Sequence, residues 1–441
     1  MLENSKFIMA GEEITRVPLF RKKFSAAVGS SAVLKLGTLG THDVFLNGEK
    51  VGDSTLAPGW QDFDSRVCAP EYKLCGLKAE NELCILLTDG WYAGTINVKD
   101  GDVLHTALAA ELTLDGGEMI VSDESWQVSD SAFESSDIYN GIVYDANFVG
   151  EWKAVQLYDG FKPSFVCDTT VPIREFETVY PTELIIAPNG EKLLDFGANI
   201  VGYPILELCA NKGDKVAFSF GEILTIDGNF YNDNYRGALC SYDYTCRDGK
   251  QTFKPCGTYY GWRYLRIDAF PDGLDPMDGC IKAKIINADM KRTGNIRTGN
   301  ELVNRLFDNI IRGQRGNYVA VPTDCPQRDE RLGWTGDAQV FIKAAAYNFD
   351  VCDFMKNWLI DNVSLQKSCG AIPYFVPLFN PHGTKPFKPN NYPRTAWSDV
   401  ITIVPWELYM TYGDVKVLED CFDAMCKHVD GMTAFTSTPD L

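Results

Sequence analysis

Along the first two-thirds of the chain, short apolar or alternating runs recur between turn residues. DVFLNGEKVG around Asn47-Gly48, ELCILLTDGWYAG near residue 90 and LTLDGG near residue 115 are of this kind. An Asn-Gly pair between apolar runs is a strong hairpin signal, and many strands at such spacing predict a sandwich or jelly roll. A second β-rich block begins near residue 180. There Val216, Phe218 and Phe220 alternate with outward-facing neighbours, as do Leu265, Ile267 and Ala269, which is the pattern of half-buried strands. The polar, Pro-containing stretch from Tyr158 to Pro181 is the expected boundary, which divides the β-rich part into residues 1–165 and 166–290.

Near residue 295 the period changes. Leu302, Val303, Leu306, Phe307, Ile310 and Ile311 repeat at helical spacing, and Thr298 three residues before Glu301 reads as a capping box. Helical patterns follow at about 336–349, 351–365, 399–412 and 414–430, so residues 291–441 form a helical block. Trp358, Trp406, Tyr409 and Phe422 stand at helical positions and read as core. The Pro-rich stretch PYFVPLFNPHGTKPFKPNNYP is too long and apolar for a simple link; ordered loops of that kind shape binding sites. No short internal repeat is present.

At 441 residues the chain is long enough for two to four domains. Its net charge of −19 argues against nucleic acid as a partner, and no Gly-rich phosphate loop is present. No run approaches the roughly 18 uninterrupted apolar residues of a membrane span, and the N-terminus lacks the basic-then-apolar pattern of a secretory signal. The fourteen cysteines are scattered without a CxxC pair, which suggests buried reduced thiols in a cytoplasmic protein. His42, His105, His382 and His428 are far apart, and nothing implies zinc or another metal.

The densest chemistry lies in VPTDCPQRDERLGWTGDAQVF, residues 321–341. It places Asp324, Asp329, Glu330, Asp337, Arg328, Arg331 and Trp334 between two helical patterns. Carboxylates beside an aromatic ring suit gripping a sugar and protonating a glycosidic oxygen. If Thr335 caps the following helix, Asp337 lies in its first turn, where the helix dipole favours an ionised carboxylate. If Trp334 or its neighbours shield Glu330 from water, its proton affinity rises toward that of a general acid. Asp324, on extended chain before Pro326, could reach the same cleft. Any one of these carboxylates alone reads as a cap or solvated charge, and Arg328 could simply pair with Asp329; the whole cluster with Trp334 reads as a site. Trp397, after the Pro-rich loop and two residues before Asp399, is open to both a core and a sugar-stacking role.

TDCPQRDERLGWTGD (323–337) resembles the active-site entrance of bacterial α-L-rhamnosidases (glycoside hydrolase family 78), inverting enzymes with an (α/α)6 barrel. FLNGEKVGDSTLAPGWQDFDSRV (45–67) and DGWYAG (89–94) resemble their N-terminal jelly-roll domain. DFGANIVGY (195–203) with TYYGWRYLRI (258–267) resembles the concanavalin-like β-sandwich that follows. The resemblance implies a multidomain β + α protein: two β-sandwich or jelly-roll domains, then the first part of a six-hairpin barrel. It implies inverting hydrolysis of terminal α-L-rhamnose from glycosides or oligosaccharides. It makes Glu330 the general acid, and Asp324, Arg328, Asp329, Trp334 and Asp337 the lining of the rhamnose pocket. Trp397 matches an aromatic of that pocket, although the family has Trp-Gly-Asp where this chain has Trp397-Ser398-Asp399.

Twelve helices make the family's barrel, and about five are legible here. The family's basic glutamate and a pocket histidine stand well downstream of the acid, beyond Leu441. The expectation is therefore an N-terminal portion of such an enzyme, inactive or nearly so alone. No cofactor is required, although some jelly-roll domains of the family hold rhamnose through calcium, with no such ligands mapped here. A non-catalytic carbohydrate-binding fragment and an (α/α)-barrel glycosidase of another sugar specificity are the competing readings.

Overall fold

The computed structural model describes residues 2–97, 104–160, 163–378 and 393–436. In the first β domain, one sheet orders strands Gln156–Leu157, Ile8–Met9, Ala107–Leu114, Ser31–Leu39 and Glu71–Cys75. Its partner orders Lys153–Ala154, Gln127–Asp130, Pro18–Ser25, Glu80–Thr88, Thr41–Leu46 and Glu49–Lys50. Alternation along these strands puts Phe20, Leu34, Leu36, Val44, Ile85, Leu108, Leu112 and Trp126 into one buried cluster shared by both sheets. The hairpin predicted at Asn47-Gly48 forms between Thr41–Leu46 and Glu49–Lys50. Both turn residues take positive φ, +53° and +88°, which a two-residue hairpin turn needs.

The second β domain is a ten-stranded sheet whose spine is the 19-residue strand Lys192–Ala210. Val216, Phe218 and Phe220 point into its core, as their alternation predicts. The expected boundary at 158–181 is not a clean cut. The hairpin Phe133–Asp137 and Gly141–Asp145 already belongs to the second sheet, pairing in parallel with Ser241–Thr245. Only afterwards do Lys153–Ala154 and Gln156–Leu157 return to the first domain. The exchange lets Phe133 and Tyr144 pack on Phe253 and Tyr244 of the same sheet.

Among the described residues five helices follow: α1 (Glu301–Asn317), α2 (Thr335–Asn348), α3 (Cys352–Ser364), α4 (Val400–Tyr412) and α5 (Val415–Thr436). The start of α1 differs from the predicted capping box. Asn300 is the N-cap, its side chain accepting from the amides of Leu302 and Val303, while Thr298 is held outside the helix by Asn304. Thr335 does not cap α2 either: it is the first helical residue, and its amide and hydroxyl donate to the Tyr374 carbonyl at 2.8 and 2.9 Å. Gly316 of α1 lies against the second β domain, where an added Cβ would stand 2.7 Å from Val201. The first β domain reaches α3 through buried Arg66, which donates to Asp361 (2.8 Å) and to Asn357.

Trp358 is core, as expected, but Trp406 and Phe422 are 51% and 60% exposed. Leu302 and Leu306 of α1 face outward as well. Helical spacing places these residues on one face; it cannot say whether another element covers that face. The fourteen cysteines are all free, and Cys75, Cys167, Cys209 and Cys426 are exposed rather than buried.

Candidate active site

The segment from Val321 to Trp334 runs between α1 and α2 and is fastened to the second β domain by a buried arginine. Arg331 is fully buried with φ +53°. Its guanidinium donates to the carbonyls of Ile138 (2.6 Å), Tyr259 (2.9 Å) and Gln327 (2.8 Å), and it stacks over Tyr259. Carbonyl oxygens thus stand where a carboxylate usually compensates a buried cation. Tyr139 adds a 2.6 Å hydrogen bond from its hydroxyl to the Glu330 carbonyl. Gln327 donates to Glu222 of the β domain at 2.7 Å. The loop's backbone is therefore set by the β domain as much as by the helices that flank it.

On this frame the side chains separate into two groups. Asp324, Asp337 and Trp397 line one open cavity of about 660 Å³, with Tyr318, Phe341 and Gly336. Asp337 is exposed in the first turn of α2. Trp397 is 37% exposed and meets Tyr374 edge-on, with ring centroids 5.4 Å apart. Gly336 makes this junction: a Cβ there would stand 2.8 Å from the Ala396 carbonyl oxygen and 3.2 Å from Trp397 Nε1. Ser398, which replaces the family's glycine, is buried. Its hydroxyl donates to the Ile372 carbonyl (3.0 Å) and accepts from the amides of Ile372 and Arg394. Asp399 accepts from the Ala396 amide (2.7 Å) and lies 3.1 Å from His428 Nε2, so it anchors this segment outside the cavity lining.

The second group is an ion-pair network. Arg328 Nη2 lies 3.0 Å from Glu330 Oε2 and 3.5 Å from Asp324 Oδ2. Arg328 thus pairs with Glu330 and Asp324, where the sequence suggested Asp329. Asp329 turns to the β domain, accepting from Arg236 Nε (2.6 Å) and the Gly237 amide (2.9 Å). Arg236 also donates to Glu330 Oε2 at 2.9 Å. Trp334 packs edge-on against Phe375 at 5.5 Å between centroids. Ligand atoms of Asp324, Cys325 and Glu330 lie within 4.8 Å of one another, a set that could ligate a cation, but the Arg328 guanidinium already pairs with both carboxylates.

Burial pushes the Asp324 carboxyl above the usual carboxylate range, against the hydrogen bond from the Leu332 amide. Burial likewise pushes the Cys325 thiol up to about 12, so it is a neutral neighbour rather than a thiolate. Arg236, Tyr139 and Glu222 escape sequence reasoning because nothing local in NDNYRGALC, DIYNGIV or SFGEIL marks them. Most of the Pro-rich stretch, residues 379–392, lies outside the described residues.

Two β-sandwich layers leading into paired helices, with a carboxylate- and tryptophan-lined cavity at the junction, are the build of a modular carbohydrate-active protein. Three family models match in order. They are the alpha-L-rhamnosidase N-terminal domain over residues 28–172, the bacterial alpha-L-rhamnosidase concanavalin-like domain over 186–287, and the bacterial alpha-L-rhamnosidase 6 hairpin glycosidase domain over 291–440. The chain belongs to the bacterial α-L-rhamnosidase family. It is 31% identical to an α-L-rhamnosidase of Formosa agariphila over 94% of its own length and 46% of that protein's. With one of Streptomyces avermitilis it shares 32% identity over 91% and 41%. The native α-L-rhamnosidase of Aspergillus terreus superposes with a TM-score of 0.88 at 30% identity, over 97% of this chain and 52% of that one. The Streptomyces avermitilis enzyme complexed with L-rhamnose gives 0.86 at 30% identity, over 95% and 42%. The chain spans about half the length of the curated relatives it matches.

Proposed function

We propose that this chain carries the acid side of an inverting α-L-rhamnosidase site. In this reading the cavity holds a terminal rhamnose, with Asp324 and Asp337 accepting hydroxyl protons and Trp397 stacking on the apolar face of the ring. Glu330, beside Asp324, protonates the glycosidic oxygen as the C1–O bond breaks. The observation that carries the reading is the single cavity collecting Asp324, Asp337 and Trp397, with Glu330 and Asp324 donor atoms within 4.8 Å of each other. That closeness also excludes Asp324 as the second carboxylate of the pair. An inverting base stands roughly 6.5–9.5 Å from the acid to leave room for water. We place the base in the part of the relatives' length that has no counterpart here.

The test is calorimetry with L-rhamnose, mannose and glucose, together with hydrolysis of the matching aryl glycosides followed by polarimetry, in a protein that also carries the part of the relatives' length expected to supply the base. Binding and turnover confined to rhamnose, with inverted product, are expected. Preference for the mannoside or glucoside would assign another specificity, and neither heat nor turnover with rhamnose would remove the reading.

A further inference from the structure

Arg236 precedes Glu330 by 94 positions and comes from the second β domain. It follows the short turn Asp233–Tyr235 with φ +56°, a strained value for a residue with a side chain, held by the contacts around it. The Gly237 amide beside it donates to Asp329 Oδ2, and a Cβ at Gly237 would stand 2.8 Å from that oxygen. Glycine is therefore what lets the β-domain turn come this close to the acid loop. Asp329 spends both oxygens on this turn, which holds the Arg236 guanidinium in place.

The result is an asymmetric carboxylate. Oε2 of Glu330 accepts from Arg236 Nη2 at 2.9 Å and also lies 3.0 Å from Arg328 Nη2. Oε1 makes no hydrogen bond with the described residues. We propose that Arg236 is a positioning residue for the acid: with Arg328 it fixes Oε2, so that the transferable proton is carried on Oε1 and the leaving group enters on that side. This rests on the rhamnosidase reading. In the step, the Oε1 proton passes to the glycosidic oxygen, which keeps the electron pair of the breaking C1–O bond. Water supplies hydroxyl to C1 and gives its proton to the base. Glu330 is left as a carboxylate with two guanidinium groups already against it, an electrostatic arrangement preformed for the charge that develops.

The test compares wild type, Arg236→Gln, Arg236→Lys and Glu330→Gln, each in a protein that also carries the part expected to supply the base, on an alkyl and a nitrophenyl α-L-rhamnoside, with kcat and KM separated. Carbodiimide labelling of carboxylates, mapped by peptide mass spectrometry, runs alongside. Arg236→Gln should lower kcat on the alkyl glycoside by about tenfold or more and on the nitrophenyl glycoside by less than about threefold, with KM little changed. Arg236→Lys should recover part of the loss. Labelling of Glu330 and Asp329 should rise in Arg236→Gln while that of Asp337 stays constant, a pattern that a general loss of folding does not produce. Equal losses on both glycosides, or unchanged labelling of Glu330, would overturn the inference while leaving the rhamnosidase reading intact. If wild type turns over neither glycoside and Glu330→Gln changes nothing, the reading itself falls and the inference with it.

Discussion

Glu330 and Asp324 share the Arg328 guanidinium but differ in what else surrounds them. Glu330 carries a second arginine on the same oxygen, whereas Asp324 is half-buried and accepts a backbone amide. Burial raises the Asp324 carboxyl, and the Trp334 ring, which the sequence set four residues from Glu330, packs on Phe375. Glu330→Gln keeps the shape and removes the proton. It should cost roughly 10²–10⁴-fold in kcat/KM on alkyl rhamnosides and far less on nitrophenyl rhamnosides, which need little acid help. Equal loss on the two substrates would take the acid role from Glu330. Asp337 is an exposed carboxylate on the cavity wall. Asp337→Asn should weaken rhamnose binding by about tenfold in calorimetry, the worth of one hydrogen bond to a charged group. Unchanged affinity would return Asp337 to the ordinary role of an acid in a first helical turn.

Among the elements, α2 ties the two walls of the cavity together. Its first turn carries Asp337, and Gly336 lets it lie against the Ala396–Trp397 backbone. Alanine at 336 would gain up to about 1 kcal/mol in helix propensity. The added Cβ meets a backbone oxygen at 2.8 Å, and overpacking against backbone costs about 1–3 kcal/mol, so the steric term wins. Gly336→Ala should lower the urea midpoint and weaken rhamnose binding together, because Trp397 must shift. A stable variant with unchanged binding would show that the junction has slack. The helices themselves were legible to within a few residues, because a 3.6-residue period is a local property. Their first residues were not: Asn300 rather than Thr298 caps α1, and Thr335 is spent on the Tyr374 carbonyl. Cap choice depends on the approach of the preceding chain, which the periodic pattern does not encode.

At the scale of the whole molecule, the first β domain is joined to the helices by a buried ion pair between Arg66 and Asp361. Arg66 at 2.8 Å pulls the Asp361 carboxyl down, but burial outweighs it and pushes it from 3.8 up to about 6, with Oδ2 left unpartnered. The folded protein therefore keeps a proton that the unfolded chain has already lost. The stability from this proton is full below about pH 4 and is lost as pH rises toward 6 and beyond. The urea midpoint should accordingly fall between pH 5 and 7, and Asp361→Asn should flatten that fall. An unaltered slope in the variant would assign the pH dependence to other groups. The outward apolar positions Trp406, Met410 and Phe422 belong to this scale as well, since only neighbouring elements decide whether a helix face is covered.

Local order was written in the chain: strand alternation, the Asn47-Gly48 hairpin, the run of helices and a loop dense in carboxylates. Each rests on contacts among residues a few positions apart, which periodicity and turn chemistry record directly. The tertiary structure alone decided that the hairpin at residues 133–145 joins the second sheet and that Asp324 and Asp337 share a cavity with Trp397. It alone brought Arg236 to Glu330 across 94 positions. Those pairings follow from which surfaces bury one another when separate layers pack. Charge complementarity over such a separation leaves no periodic mark on the sequence.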